Sequence, residues 1–144
     1  MFIGEHRHAL DDKKRLTLPV RLRRSVGKSV VVTRGLDGCL FLYTSKDWQG
    51  ISAKLGSLGM GQADTRGFAR FMLASAAELD VDAAGRILVP EHLREFAAVR
   101  DAVVVAGVAN RLEIWDEKRW KSYASRVSRG ADEMAEKLGQ IGAI

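Results

Sequence analysis

The feature that most limits what this chain can fold into is an internal repeat. Arg15-Leu16-Thr17-Leu18-Pro19 returns 71 positions later as Arg86-Ile87-Leu88-Val89-Pro90. An aspartate stands four residues before each arginine, Asp11 and Asp82. Each proline opens Pro-x-x-Leu-Arg, from Pro19 to Arg23 and from Pro90 to Arg94. A valine run follows in both copies, Val30-Val31-Val32 and Val103-Val104-Val105. After a turn come Leu40-Phe41-Leu42-Tyr43 and Leu112-Glu113-Ile114-Trp115. Each copy closes on a lysine and a tryptophan two residues apart, Lys46 with Trp48 and Lys118 with Trp120. The offset drifts only from 71 to 73, so the copies differ by small loop insertions. A unit of roughly 45 residues falls in the period range of repeat architectures, in which neighbouring copies bury a core that one copy cannot bury alone.

Each unit reads as strand, turn, strand, short helix, strand, turn, strand. Residues around His6 to Leu10 alternate and suit a short strand. Asp-x-x-x-Arg is a turn, and Gly85 supplies positive φ in the second copy. Arg15-Leu16-Thr17-Leu18 alternates with period two, as a half-buried strand does. Pro19 and Pro90 fit the start of a helix, where a missing N–H costs nothing, and Gly27 is a stop signal. Two units packed together form one shared barrel-like core, so the chain acts as its own dimer. The stretch from Leu55 to Gly67 reads as a loop between helices, with Phe68, Phe71, Met72 and Ala76 at helical spacing after it. Asp116 to Leu138 predicts one or two amphipathic helices outside the barrel, and the last residues, Gly139 to Ile144, should fray. The expected boundaries are a first repeat over 5–47, a helical linker over 48–75, a second repeat over 76–119 and a helical tail over 120–144.

Composition narrows the class. The chain has 144 residues, 47% hydrophobic and 28% charged, the profile of an ordinary globular protein. Cys39 is the only cysteine, which excludes an internal disulfide and a cysteine-rich zinc site. No apolar run is long enough to span a bilayer and the N-terminus lacks a signal-peptide core, so a cytoplasmic protein without a membrane partner is expected. The net charge is +5, with residues 1–72 carrying 13 Lys and Arg against 6 Asp and Glu, and residues 73–144 carrying 10 against 12. The asymmetry fits a first half that faces a polyanion, and equally a solvated basic face.

The chain resembles the MraZ family of bacterial regulators. The resemblance is carried by Met1-Phe2-x-Gly4, Leu10-Asp11, Arg15 with Pro19, Asp82 to Arg86 with Pro90, Glu113-x-Trp115 and Trp120. It implies a mainly β, α+β fold: two AbrB-like swapped-hairpin units forming a pseudo-dimeric β-barrel, plus linker and C-terminal helices. It also implies a ring-shaped homo-oligomer that binds short, repeated, G-containing boxes in double-stranded DNA upstream of its own operon. One position departs from the family pattern. Lys14 stands where glycine is usual, so the first turn either avoids positive φ there or holds a non-glycine residue in it at a cost of about 1 kcal/mol.

The candidate DNA-binding residues are Arg15, Lys13, Lys14, Arg86, Arg7, Arg21 and Arg24, with Asp11 and Asp82 as turn-pinning residues. Two readings of Arg15 and Arg86 stand side by side: contact with DNA, and an ion pair to the aspartate four residues back, since the same guanidinium fork serves phosphate and carboxylate. Lys13 and Lys14 have no such partner in sequence and are natural phosphate contacts. Arg23 and Arg24 also fit a solvated helix face, and His92 ordinary surface. His6 and His8 share a strand face but have no further ligand at suggestive spacing, so no metal and no cofactor is expected. Cys39 and the aromatics Tyr43, Trp48, Trp115 and Trp120 read as packing residues. No Walker-type, His-Glu-x-x-His or Gly-x-Ser-x-Gly motif is present, and no enzyme activity is expected. The functional expectation is a sequence-specific DNA-binding transcriptional regulator. Two rivals stand beside it: a ring-forming module that acts mainly by binding another protein, favoured by the acidic second half, and an RNA-binding module.

Overall fold

A computed structural model describes residues 1–144. The first repeat supplies β1 (Phe2–Ala9), β2 (Arg15–Thr17), α1 (Val20–Val26), β3 (Ser29–Arg34) and β4 (Leu40–Thr44), followed by α2 (Ser45–Gly56) and α3 (Ala63–Leu73). The second supplies β5 (Ala77–Asp80), β6 (Arg86–Leu88), α4 (Glu91–Ala97), β7 (Ala102–Ala109) and β8 (Arg111–Asp116), followed by α5 (Glu117–Gln140).

The strands pair across the repeat rather than within it. Antiparallel pairing gives a six-stranded sheet in the order β1-β7-β8-β4-β3-β5 and a separate two-stranded ladder of β2 with β6. Thus β1 of the first unit lies on β7 of the second, and β5 of the second lies on β3 of the first. His8 faces Val103 and, at the matching position, Leu79 faces Val30, so the two exchanges have the same register. The sheet does not join β1 to β5. Instead the β2–β6 ladder lies across that opening, with β2 beside β1 and β6 beside β5.

The burial pattern explains the sequence. Val30–Val32 and Val103–Val105 are apolar without alternation because β3 and β7 are covered on both faces. The inner face, with Leu16, Leu18, Ile87 and Val89 from around the ladder, forms one core of 18 buried residues. On the outer face Phe41, Tyr43, Val104 and Trp115 make a second cluster, against which Trp48, Trp120 and Tyr123 pack. The repeated aromatics are therefore packing residues. Cys39 belongs to the same cluster, and burial pushes its thiol well up from the ordinary value, which leaves it inert as a nucleophile. Glu113, buried in the outer face, is satisfied by Arg111 at 3.0 Å and by the Trp115 indole N–H at 3.1 Å.

Two expectations need correction. Helices extend into the predicted loop over 55–67 from both sides, leaving only the stretch from Ser57 to Gln62 between α2 and α3. Gly56 and Gly67 are tolerated as helical residues because both face solvent with open space around them. The tail forms a single helix that runs on to Gln140, past the expected fraying point at Gly139. No helix is long and apolar enough to cross a membrane.

Candidate nucleic-acid interface

The two Asp-x-x-x-Arg turns have the same construction. Asp11 Oδ1 accepts the backbone N–H of Lys13 at 2.9 Å and of Arg15 at 2.8 Å, while Oδ2 accepts Arg15 Nε at 2.7 Å. Asp82 repeats this with the N–H groups of Ala84 and Arg86, both at 2.9 Å, and Arg86 Nε at 2.8 Å. A short carboxylate gathering nearby backbone donors is the reason aspartate suits such turns. The backbone N–H of the arginine, above all, holds each carboxyl below its ordinary value of 3.8, with the arginine side chain adding to the effect. The ion pair in sequence is thus present in both copies. It is made through Nε, and the terminal guanidinium nitrogens of both arginines make no hydrogen bond within the chain. Pinning the turn and presenting a donor fork are compatible.

The third turn position takes positive φ in both copies, +64° at Lys14 and +77° at Gly85. Lys14 therefore tolerates the conformation its family position favours for glycine. Lys13 and Lys14 are exposed at the tip of the first turn.

Strand alternation aims the arginines. In the ladder Arg15 pairs with Leu88, Leu16 with Ile87 and Thr17 with Arg86. Leu16 and Ile87 point into the core, so Arg15, Thr17, Arg86 and Leu88 share the outer face of one two-stranded ribbon. Leu88 is 56% exposed there, an apolar side chain left in water.

The exchange of strands also redistributes charge. The first turn leaves β1 beside the second unit, where Leu10 N–H donates to Asp101 O at 2.9 Å. The second leaves β5 beside the first unit, where Val81 N–H donates to Lys28 O at 2.9 Å. The basic tip of Lys13 and Lys14 thus sits by the acidic unit. Ala83 and Gly85 of the second tip sit in a groove with Arg23 and Lys28, which Asp80 and Asp82 also line. Cationic side chains stand at both ends of the ribbon, at the second beside Asp80 and Asp82.

The other predicted residues are dispersed. Arg21 is exposed on α1. Arg24 turns away from the ribbon into a hollow that it shares with Lys28 and Lys46. Arg7 is exposed on β1 and pairs with Glu5 at 3.1 Å, with no bond to either turn. Arg23 is structural rather than a solvated side chain: its Nε donates to Leu18 O at 3.0 Å, as Arg94 Nε donates to Val89 O at 3.0 Å. Its conserved place in both Pro-x-x-Leu-Arg segments was the signal for that role. His92 is surface-exposed, with Nε2 3.1 Å from Ser75 O. No group of three His, Cys, Asp or Glu is placed to hold a metal ion. Sequence reasoning missed Lys28, Thr17 and Leu88, whose places depend on pairing between the units.

This two-unit geometry has a counterpart among known proteins. The family model for the MraZ protein matches residues 1–71 and again 72–139. The chain belongs to the MraZ family. It is 49% identical over 138 residues to a protein of Heliobacterium modesticaldum, covering 96% of each chain. It is 42% identical over 142 residues to one of Acetivibrio thermocellus, covering 99% of each. A relative from Ligilactobacillus salivarius is 45% identical over 138 residues, covering 96% of each. All three relatives carry the name transcriptional regulator MraZ. The double match falls on the two halves related by the repeat, so the family's unit is the one whose turns build the ribbon.

Proposed function

We propose that this chain is a sequence-specific DNA-binding transcriptional regulator. It acts by occupying repeated short, G-containing boxes in the double-stranded DNA upstream of its own operon, as a ring-shaped homo-oligomer in the cytoplasm associated with the nucleoid. The observation that carries the reading is the placement of Arg15 and Arg86 on the outer face of one two-stranded ribbon. The major groove admits such a ribbon, and arginine is the side chain best suited to the two acceptors of a guanine edge. The two arginines are two residue steps apart along the ladder, about 7 Å at strand spacing. That separation matches about two base-pair rises of about 3.4 Å each. Lys13 and Lys14 at the tip of the first turn fix register through phosphates. The relatives' printed names point to the same class of function.

The ring is supported by apolar residues outside the shared core. Phe68 on α3, and Met134 and Leu138 on α5, are each more than a third exposed. Linking several ribbons raises the effective concentration of each at neighbouring boxes.

Gel retardation on the DNA upstream of the gene, with unrelated duplex as competitor, tests the reading. A shifted complex that survives competitor is expected. Equal loss to any duplex sinks sequence-specific binding and favours the rival in which the ring serves mainly to bind another protein.

A further inference from the structure

The two units present matching positions, and around the ends of α1 and α4 several of these differ in charge. Arg24 corresponds to Glu95, Lys28 to Asp101 and Ser45 to Glu117. In the first half, Arg24, Lys28 and Lys46 line one hollow between α1, β3 and the start of α2, with Asp47 as its single carboxylate. In the second half the matching hollow between α4, β7 and α5 holds Asp101, Asp116 and Glu117 against Arg100 and Lys118. Glu95 borders the adjoining hollow, which shares Ala98 and Arg100 with it. None of Arg24, Lys28, Lys46, Glu95 or Asp101 has an ion-pair partner within the chain.

We propose that the basic hollow of one copy docks on the acidic hollow of the next, head to tail. The proposal rests on the ring reading above and assigns its joint. A pseudo-two-fold molecule with like-charged ends has nothing to choose between its possible contacts. Here basic-to-basic and acidic-to-acidic contacts repel, and only the unlike pair attracts, so the charges fix both partner and polarity. A contact between two different patches repeats from copy to copy and closes into a ring when the rotation per step divides a full turn. The unpaired cations and carboxylates are thereby matched between chains rather than within one.

The test is a charge exchange read by light scattering at micromolar concentration. One variant carries Arg24→Glu with Lys28→Glu, and the other Glu95→Lys with Asp101→Lys. Each alone should weigh several-fold less than wild type, because its two ends then bear like charges. An equimolar mixture should recover the wild-type mass with the two variants alternating, since the altered hollow of one then faces the altered hollow of the other and the two unaltered hollows also match in sign. Thermal melts check that each variant is folded; Arg24→Gln with Lys28→Gln, which should lose mass as salt rises while wild type holds it, replaces a variant that is not. Variants that keep the wild-type mass, or a mixture that fails to recover it, overturn the joint and leave the ring standing. Variants of unchanged mass that lose DNA affinity would assign the basic hollow to phosphate and overturn the proposal. A wild-type chain that stays at 15.9 kDa overturns ring and joint together.

Discussion

Arg23 lies across Gly85, and together they hold both polar groups of one residue, Leu18. Arg23 Nε donates to Leu18 O at 3.0 Å, and Leu18 N–H donates to Gly85 O at 2.8 Å. A Cβ on Gly85 would come within 2.7 Å of Arg23 Cδ and 2.8 Å of Cζ. The helix of one unit is thereby tied to the turn of the other. Gly85→Ala should cost about 2 kcal/mol, from about 1 for positive φ and about 1 for the displaced arginine bond. Thermal denaturation should show a fall of roughly 5 °C in Tm at this chain length. In an Arg23→Ala background the same substitution should cost about 1 kcal/mol, the backbone part alone. Additive losses would mean that the crowding by Arg23 is not what Gly85 relieves.

The first turn lacks that close fit. Lys14 carries its side chain at φ +64°, and no bond from Val89 N–H to Lys14 O mirrors the one from Leu18 to Gly85. Lys14→Gly should therefore stabilise the fold by up to about 1 kcal/mol by relieving the backbone, less the added freedom of glycine when unfolded. The same change should weaken binding to all duplexes alike and flatten the log affinity against log salt slope by about 0.9, one phosphate contact. Titrations at several salt concentrations, with Tm measured alongside, separate the two effects. A slope equal to that of wild type would remove Lys14 from the DNA face.

Much of this arrangement is legible in the sequence, because its causes are local. The spacing of Asp11 to Arg15 and of Asp82 to Arg86 encodes a turn that lets aspartate and arginine meet, and both pairs do. The repeat encodes a pseudo-dimer. Which strand pairs with which is not local: nothing in the periodicity of Glu5 to Ala9 says that its neighbour is Ala102 to Ala106 rather than a strand of its own unit. The exchange puts Lys28 beside the second turn and Leu88 opposite Arg15, so the roles of both follow only from the fold. The helix lengths were underestimated for a related reason. Gly56, Gly67 and Gly139 look like breaks in sequence, but each is an exposed helical position whose cost the neighbouring turns absorb.

Acid should lower the stability of the fold over two pH ranges. His8 is held below its ordinary 6.5, first by burial and then by the charges of His6 and Arg23. The fold prefers the neutral ring, so the unfolded chain binds more protons, and stability present above about 6.5 declines as pH falls through the lowered value. Asp11 and Asp82, held below 3.8, add stability that is complete above that value and is lost as pH falls beneath it. Tm measured against pH at fixed ionic strength should slope gently below 6.5 and steeply below about 4. His8→Gln should remove the first slope, and Asp11→Asn with Asp82→Asn should flatten the second. A double aspartate variant with the wild-type acid limb would show that the turns do not carry it.

The outer face of the ribbon breaks the symmetry of the repeat at one position. Leu88 stands opposite Arg15, whereas its counterpart Thr17 stands opposite Arg86. Pressed into a major groove, the exposed leucine offers a thymine methyl an apolar contact, while the threonine offers a hydroxyl that any base can use. A symmetric ribbon would favour a palindromic box. This one should favour a box with a direction, in which a T is preferred near only one of the two guanine contacts, and copies of such a box would be read as direct repeats. Leu88→Thr restores the symmetry. It should cut the preference for that T by about fivefold, the worth of about 1 kcal/mol for one methyl-sized contact, and leave the salt slope unchanged because no phosphate contact is lost. Thr17→Leu should create a second T preference at the mirrored position. Selection from duplexes randomised across one box measures both changes. If Leu88→Thr leaves the preference at every position as it was, the ribbon's apolar side chain does not meet a base, and the reading of bases would rest on Arg15 and Arg86 alone.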